Sequence, residues 1–135
     1  MILLLKLASV VMLLLAALHT GFSRRFGWKT ELASLSLINQ QLMKVHTFFI
    51  ALVLLLMGLL CLLATADLLV TSLGRIICSG YAFFWAVRLY FQFWVYAPSL
   101  WKGKRFETVM HILFSAIWIF LTLVFGCAAF FNPAV

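Results

Sequence analysis

VHTFFIALVLLLMGLLCLLATA, residues 45–66, contains no Asp, Glu, Lys or Arg across its twenty-two positions. Wound as a helix it is about 33 Å long, enough to cross a hydrocarbon core of about 30 Å. A soluble domain would have to bury such a helix on all sides. A chain of 135 residues cannot do so while burying three comparable segments as well. Those segments are residues 1–20, 76–96 and 106–131. The expected fold is therefore all-α: a polytopic membrane protein forming a four-helix transmembrane bundle, with the whole chain, 1–135, as one transmembrane domain.

The composition agrees with this reading. The chain is 67% hydrophobic and 10% charged, with a mean hydropathy of +1.19, whereas a globular domain is about 45–50% apolar and about 25% charged. Its outer surface must itself be apolar and face lipid. Fourteen Phe, five Trp and three Tyr add ring area, much of it near span ends, where such side chains favour the headgroup layer. The net charge of +7 would point to nucleic acid on a soluble surface. Here the cations flank apolar segments, where topology and anionic lipid account for them, and nucleic-acid binding is not expected. Cys61, Cys78 and Cys127 are odd in number and lack CxxC spacing, which argues against a disulfide scaffold or a zinc knuckle and for small apolar core residues.

The segment 1–20 has a basic residue, Lys6, ahead of an apolar run, as a signal peptide would. The small-residue cleavage pattern around Ala16, Ala17 and His19 is poor, however, and Arg24 and Arg25 follow at once, so a retained first span is expected. Between the first two spans Trp28, Leu32, Leu35, Ile38 and Leu42 recur at helical spacing, predicting a short amphipathic interfacial helix over about 28–42. Residues 67–75 read as a short connection. The third span is stopped by Pro98, and the tail Asn132-Pro133-Ala134-Val135 is too short to form a domain.

Charge sets the expected topology. The connections 21–44 and 97–106 lie on one side of a four-span arrangement. They carry seven of the ten basic residues, namely Arg24, Arg25, Lys29, Lys44, Lys102, Lys104 and Arg105. The positive-inside rule places both connections in the cytoplasm and both termini outside, in a plasma or bacterial inner membrane.

This topology brings a polar group from every span to the cytoplasmic end: His19 from the first, His46 from the second, Arg88 and Gln92 from the third, His111 from the fourth. The helical stripes agree, with Tyr81, Trp85, Arg88, Gln92 and Tyr96 on one face and Glu107, His111, Ser115, Trp118 and Thr122 on another. A third stripe joins Ser9, Met12, Ala16 and His19 on the first span. Arg88 stays charged at any relevant pH, so it must snorkel, meet a carboxylate such as Glu107, or face water or an anionic headgroup. Arg88, Gln92, Glu107, Asn39 and Gln40 are accordingly the candidate ligand-binding residues. His46, His111 and His19 are candidate metal or haem ligands, either as an axial pair for haem iron or, with Glu107, as a set for a divalent metal. A single His at a span end is more often an interfacial group hydrogen-bonded to water or backbone. No confident catalytic residue stands out, and an independent enzyme is the less favoured reading.

The leading expectation of function is a non-catalytic subunit or assembly partner of a larger membrane complex, with a ligand layer of His, Arg and Gln at the cytoplasmic side. Its partners would be membrane lipids and other membrane subunits or copies of itself. The alternatives are a haem-, metal- or quinone-binding electron-transfer protein and an enzyme modifying membrane lipids or isoprenoids.

Overall fold

In the computed structural model the described residues run from Met1 to Phe131, and the four-residue tail lies outside them. No β-strand occurs among the described residues. The chain forms α1 (Ile2–His19), α2 (Phe22–Arg25), α3 (Trp28–Glu31), α4 (Leu37–Leu63), α5 (Thr65–Val70), α6 (Ser72–Trp94) and α7 (Arg105–Phe130), with a 3-10 turn at Pro98–Leu100. Four of these helices, α1, α4, α6 and α7, are long and apolar enough to cross a membrane. Large apolar side chains stand exposed along all four; Leu63 is 81% exposed, Phe83 71% and Phe130 90%. A water-facing protein rarely leaves so much continuous apolar surface uncovered.

Two expected boundaries are corrected. The interfacial helix over 28–42 does not form as one element. Its first turn is α3, which follows Gly27 in the left-handed region at φ 58°. Turns then run from Leu32 to Leu35, with Ala33 N–H donating to the Thr30 carbonyl at 3.2 Å and Leu35 N–H to the Leu32 carbonyl at 3.0 Å. The remaining part, from Leu37, is the start of α4, so the second long helix begins at Leu37 instead of Val45. Nothing between Leu37 and Val45 breaks a helix, and Gln40 Nε2 donates to the Leu35 carbonyl at 2.9 Å, tying the turn to the helix start.

The second correction falls on residues 67–75, which are mostly helical. α5 and α6 meet at Thr71, whose backbone is extended (φ −114°, ψ 151°). Thr71 Oγ1 accepts from Gly74 N–H at 2.9 Å, capping α6, and donates to the Asp67 carbonyl at 2.7 Å. Gly74 is buried where α5 crosses α6. A Cβ there would lie 2.5 Å from the Asp67 oxygen and 2.5 Å from Leu68 Cα, so the crossing is backbone on backbone and requires glycine.

Contacts group the helices into two compact units, one of Met1–Leu5 with the chain from Ala64 onward, the other of Lys6–Leu63. In the first, α6 and α7 form an antiparallel hairpin. Tyr81 meets Phe125, Trp85 meets Trp118 and Gln92 meets His111, so the numbers fall on one helix as they rise on the other. The packed centre holds Trp85, Leu121, Phe125 and Cys78, with Cys78 near the Leu68 carbonyl of α5. In the second unit α1 approaches α4 at Gly58. A Cβ there would stand 3.0 Å from the Leu13 side chain and 3.2 Å from the Ser9 carbonyl. Small residues admit such close contact between helices in lipid, where dispersion contacts replace the hydrophobic effect as the cohesive force. Cys61 and Cys78 are buried and Cys127 half-buried, as small packing residues.

Candidate functional site

The polar side chains of the α6–α7 hairpin converge on Gln92, which is only 5% exposed. Its Oε1 accepts from the Trp118 indole N–H at 3.3 Å and, more loosely, from Arg88 Nη1 at 3.5 Å. Its Nε2 lies 2.8 Å from His111 Nδ1. Because both other neighbours can only donate, the amide oxygen must face them and the amide nitrogen must face the imidazole. His111 Nδ1 is therefore the acceptor, and the neutral ring carries its proton on Nε2. The ring is held flat against Trp101 at 3.9 Å and 10°, with the edge of Phe93 at 5.9 Å. Ser115 Oγ donates to the His111 carbonyl at 2.7 Å.

Arg88 completes the node. Its guanidinium lies 4.9 Å over the Trp118 ring and 5.5 Å from the Tyr96 ring, within the reach of cation–π attraction. Gln92 and Tyr96 both follow Arg88 in the chain, on the side of the connection that carries Lys102, Lys104 and Arg105. The carboxylate weighed as its partner is elsewhere: Glu107 is exposed, and the groups that meet Arg88 are an amide and two ring faces. Glu107 opens α7 one turn before His111, which leaves its carboxylate at the helix N-terminus, where the dipole favours it.

Trp118 is stacked against Trp85 (5.1 Å, 12°) and Phe114 (5.6 Å, 16°). Trp85 is 1% exposed, and its indole N–H has no hydrogen-bond partner among the described residues. The two stacked tryptophans therefore differ: one donates to Gln92 and the other contributes its ring alone.

The other singled-out residues belong to the second unit and do different work. His19 Nδ1 donates to the Leu15 carbonyl at 2.7 Å and His46 Nδ1 donates to the Leu42 carbonyl at 2.8 Å, each within its own helix. Asn39 is exposed in the first turn of α4, beside Gln40 with its bond to Leu35. No group of three or more His, Cys, Asp or Glu side chains that could hold a metal ion occurs among the described residues. The set of His19, His46, His111 and Glu107 is accordingly not assembled as a metal centre. His111 also commits its unprotonated nitrogen to Gln92, which removes that lone pair from ligand duty.

Sequence reasoning placed Arg88, Gln92 and Trp118 on facing stripes but could not find Trp101. That residue stands in an irregular connection, and no periodicity marks which ring in such a segment folds back onto an imidazole. No protein family, curated protein or solved structure matches this chain.

Proposed function

We propose that the chain is a small multi-pass integral membrane protein, its four long helices gathered in a bundle, that serves as a non-catalytic component of a larger membrane assembly and receives an anionic group at Arg88. One observation carries this reading: a half-buried guanidinium, on a helix long enough to span a bilayer, is met among the described residues only by neutral groups. A guanidinium has five N–H donors and remains charged, so one long bond to an amide leaves most of its capacity unused. A charge at that depth is costly unless paired, and a carboxylate or phosphate would pair it. The engagement of His111 Nδ1 by Gln92 supports holding over proton abstraction, because the lone pair a base would use is already taken.

The charge asymmetry supports the orientation described above, with the connections 21–44 and 97–106 in the cytoplasm and both termini outside, in a plasma or bacterial inner membrane. Arg88 then lies toward the inner leaflet. The test is native mass spectrometry of the protein released from mild detergent, comparing the unsubstituted chain with Arg88→Gln and Arg88→Lys. The reading expects an anionic species retained by the unsubstituted chain, weakened by Lys and lost with Gln. Equal retention by the unsubstituted chain and Arg88→Gln overturns it.

A further inference from the structure

Beside Arg88 the outer face of α6 carries a groove of about 490 Å³ lined by Gly80, Phe83, Phe84, Val87, Arg88 and Phe91. Its volume falls in the range of small-molecule sites, about 300–1,000 Å³. Arg88 is the only polar side chain in this lining, and it stands toward one end. From Gly80 to Phe91 the groove follows α6 for about 16 Å, close to half the thickness of a hydrocarbon core. Gly80 leaves the far end unfilled: a Cβ built there meets nothing within 4 Å. The lining residues recur at steps of three and four, so they form one continuous strip.

We infer that this groove seats an anionic lipid, its acidic headgroup on the Arg88 guanidinium and one acyl chain laid along α6 toward Gly80. The inference rests on the proposed anion-receiving role of Arg88 and names the occupant. Three features of the hairpin agree with it. Gln92 and Tyr96, two of the groups that meet Arg88, lie toward the helix end and the basic connection, the direction in which a headgroup lies, while most of the apolar strip, from Gly80 to Val87, lies the other way. Lys102, Lys104 and Arg105 follow the same helix end and concentrate anionic lipid around it. The groove length matches a chain confined to one leaflet, whereas an acidic side chain from a protein partner would need the cation and leave the strip unused.

The full chain reconstituted in phosphatidylcholine nanodiscs containing a minor fraction of spin-labelled phosphatidylglycerol tests this directly. Immobilised label is compared for the unsubstituted chain, Gly80→Leu, Arg88→Gln and Arg88→Lys, with inorganic phosphate as a soluble competitor. Gly80→Leu projects into open space, so folding is retained, and helix content by circular dichroism checks that it is. The inference expects phosphatidylglycerol to be enriched over labelled phosphatidylcholine and its retention to fall by about tenfold or more in Arg88→Gln, the loss of a charge-assisted bond. It also expects a marked fall in Gly80→Leu and little displacement by phosphate. If Arg88→Gln abolishes retention while Gly80→Leu has no effect, or phosphate displaces the lipid fully, Arg88 still receives an anion but the groove seats no chain, and the inference is overturned. Equal retention of phosphatidylglycerol and phosphatidylcholine by the unsubstituted chain overturns the inference, and if native mass spectrometry also shows no retained anion, the proposed function fails with it. A stoichiometric protein held at Arg88 and released by Gly80→Leu would assign the groove to a protein partner and overturn it as well.

Discussion

His111 and His46 both stand in the N-terminal half of a long helix, yet their Nδ1 atoms play opposite roles. His46 donates from Nδ1 to a carbonyl one turn earlier in its own helix, and its environment is exposed. His111 accepts at Nδ1 from Gln92 of a different helix, with two rings packed on it. The first arrangement is available to any helical His and joins nothing. The second links α6 to α7 through an amide that Trp118 and Arg88 orient. The same contrast extends to the units around them: the α6–α7 hairpin is joined by side-chain hydrogen bonds and stacked rings, whereas α1 meets α4 at a glycine, through the Leu13 side chain and the Ser9 carbonyl.

The largest disturbance is expected at the glycine crossing of the first unit. Gly74→Ala sets a Cβ against the backbone of Asp67 and Leu68, neither of which can rotate away, and should destabilise the protein by about 3 kcal/mol in reversible unfolding from mixed micelles. Gly80→Ala on the same helix serves as the control. It meets nothing and should stabilise by about 0.5 kcal/mol through helix propensity. Similar effects for the two would remove the close crossing from the account.

Gln92→Leu comes next. It leaves Trp118 N–H and His111 Nδ1 unpaired in a buried site, at a cost of about 2 kcal/mol. Side-chain nitrogen NMR of His111 adds a sharper readout, since the proton held on Nε2 should become distributed over both nitrogens once Gln92 no longer donates. No change in that spectrum would refute the assigned tautomer.

Gly58→Ala probes the other unit. The Leu13 side chain can shift but the Ser9 carbonyl cannot, so a loss of about 1–2 kcal/mol is expected, within the range for overpacking. The same unfolding measurement on Ala and Val variants should show a steep dependence on side-chain size.

The tryptophan pair separates ring from N–H. Trp118→Phe gives up the bond to Gln92 and should cost about 1 kcal/mol beyond any packing change, whereas Trp85→Phe removes a donor that has no partner and should cost less. If Trp85→Phe proves the more damaging, its N–H has a partner in the membrane-embedded protein. The smallest effect belongs to His46→Ala, which removes a bond internal to one exposed helix and should change stability by less than about 0.5 kcal/mol.

The amino-acid pattern alone determined the four long apolar helices, because apolar runs of this length have few other ways to satisfy their backbone. It also placed Arg88, Gln92, His111 and Trp118 on stripes that could face one another, since helical periodicity is local. Tertiary structure decided the rest. Whether Arg88 meets Glu107 or the rings of Trp118 and Tyr96 depends on relative helix rotation and register, which no single helix encodes. The break between Glu31 and Leu37 and the crossing at Gly74 depend on where the backbone can pass a neighbour. The tautomer of His111 is likewise a property of its surroundings: an imidazole can donate or accept at Nδ1, and the amide of Gln92, oriented by Arg88 and Trp118, selects which.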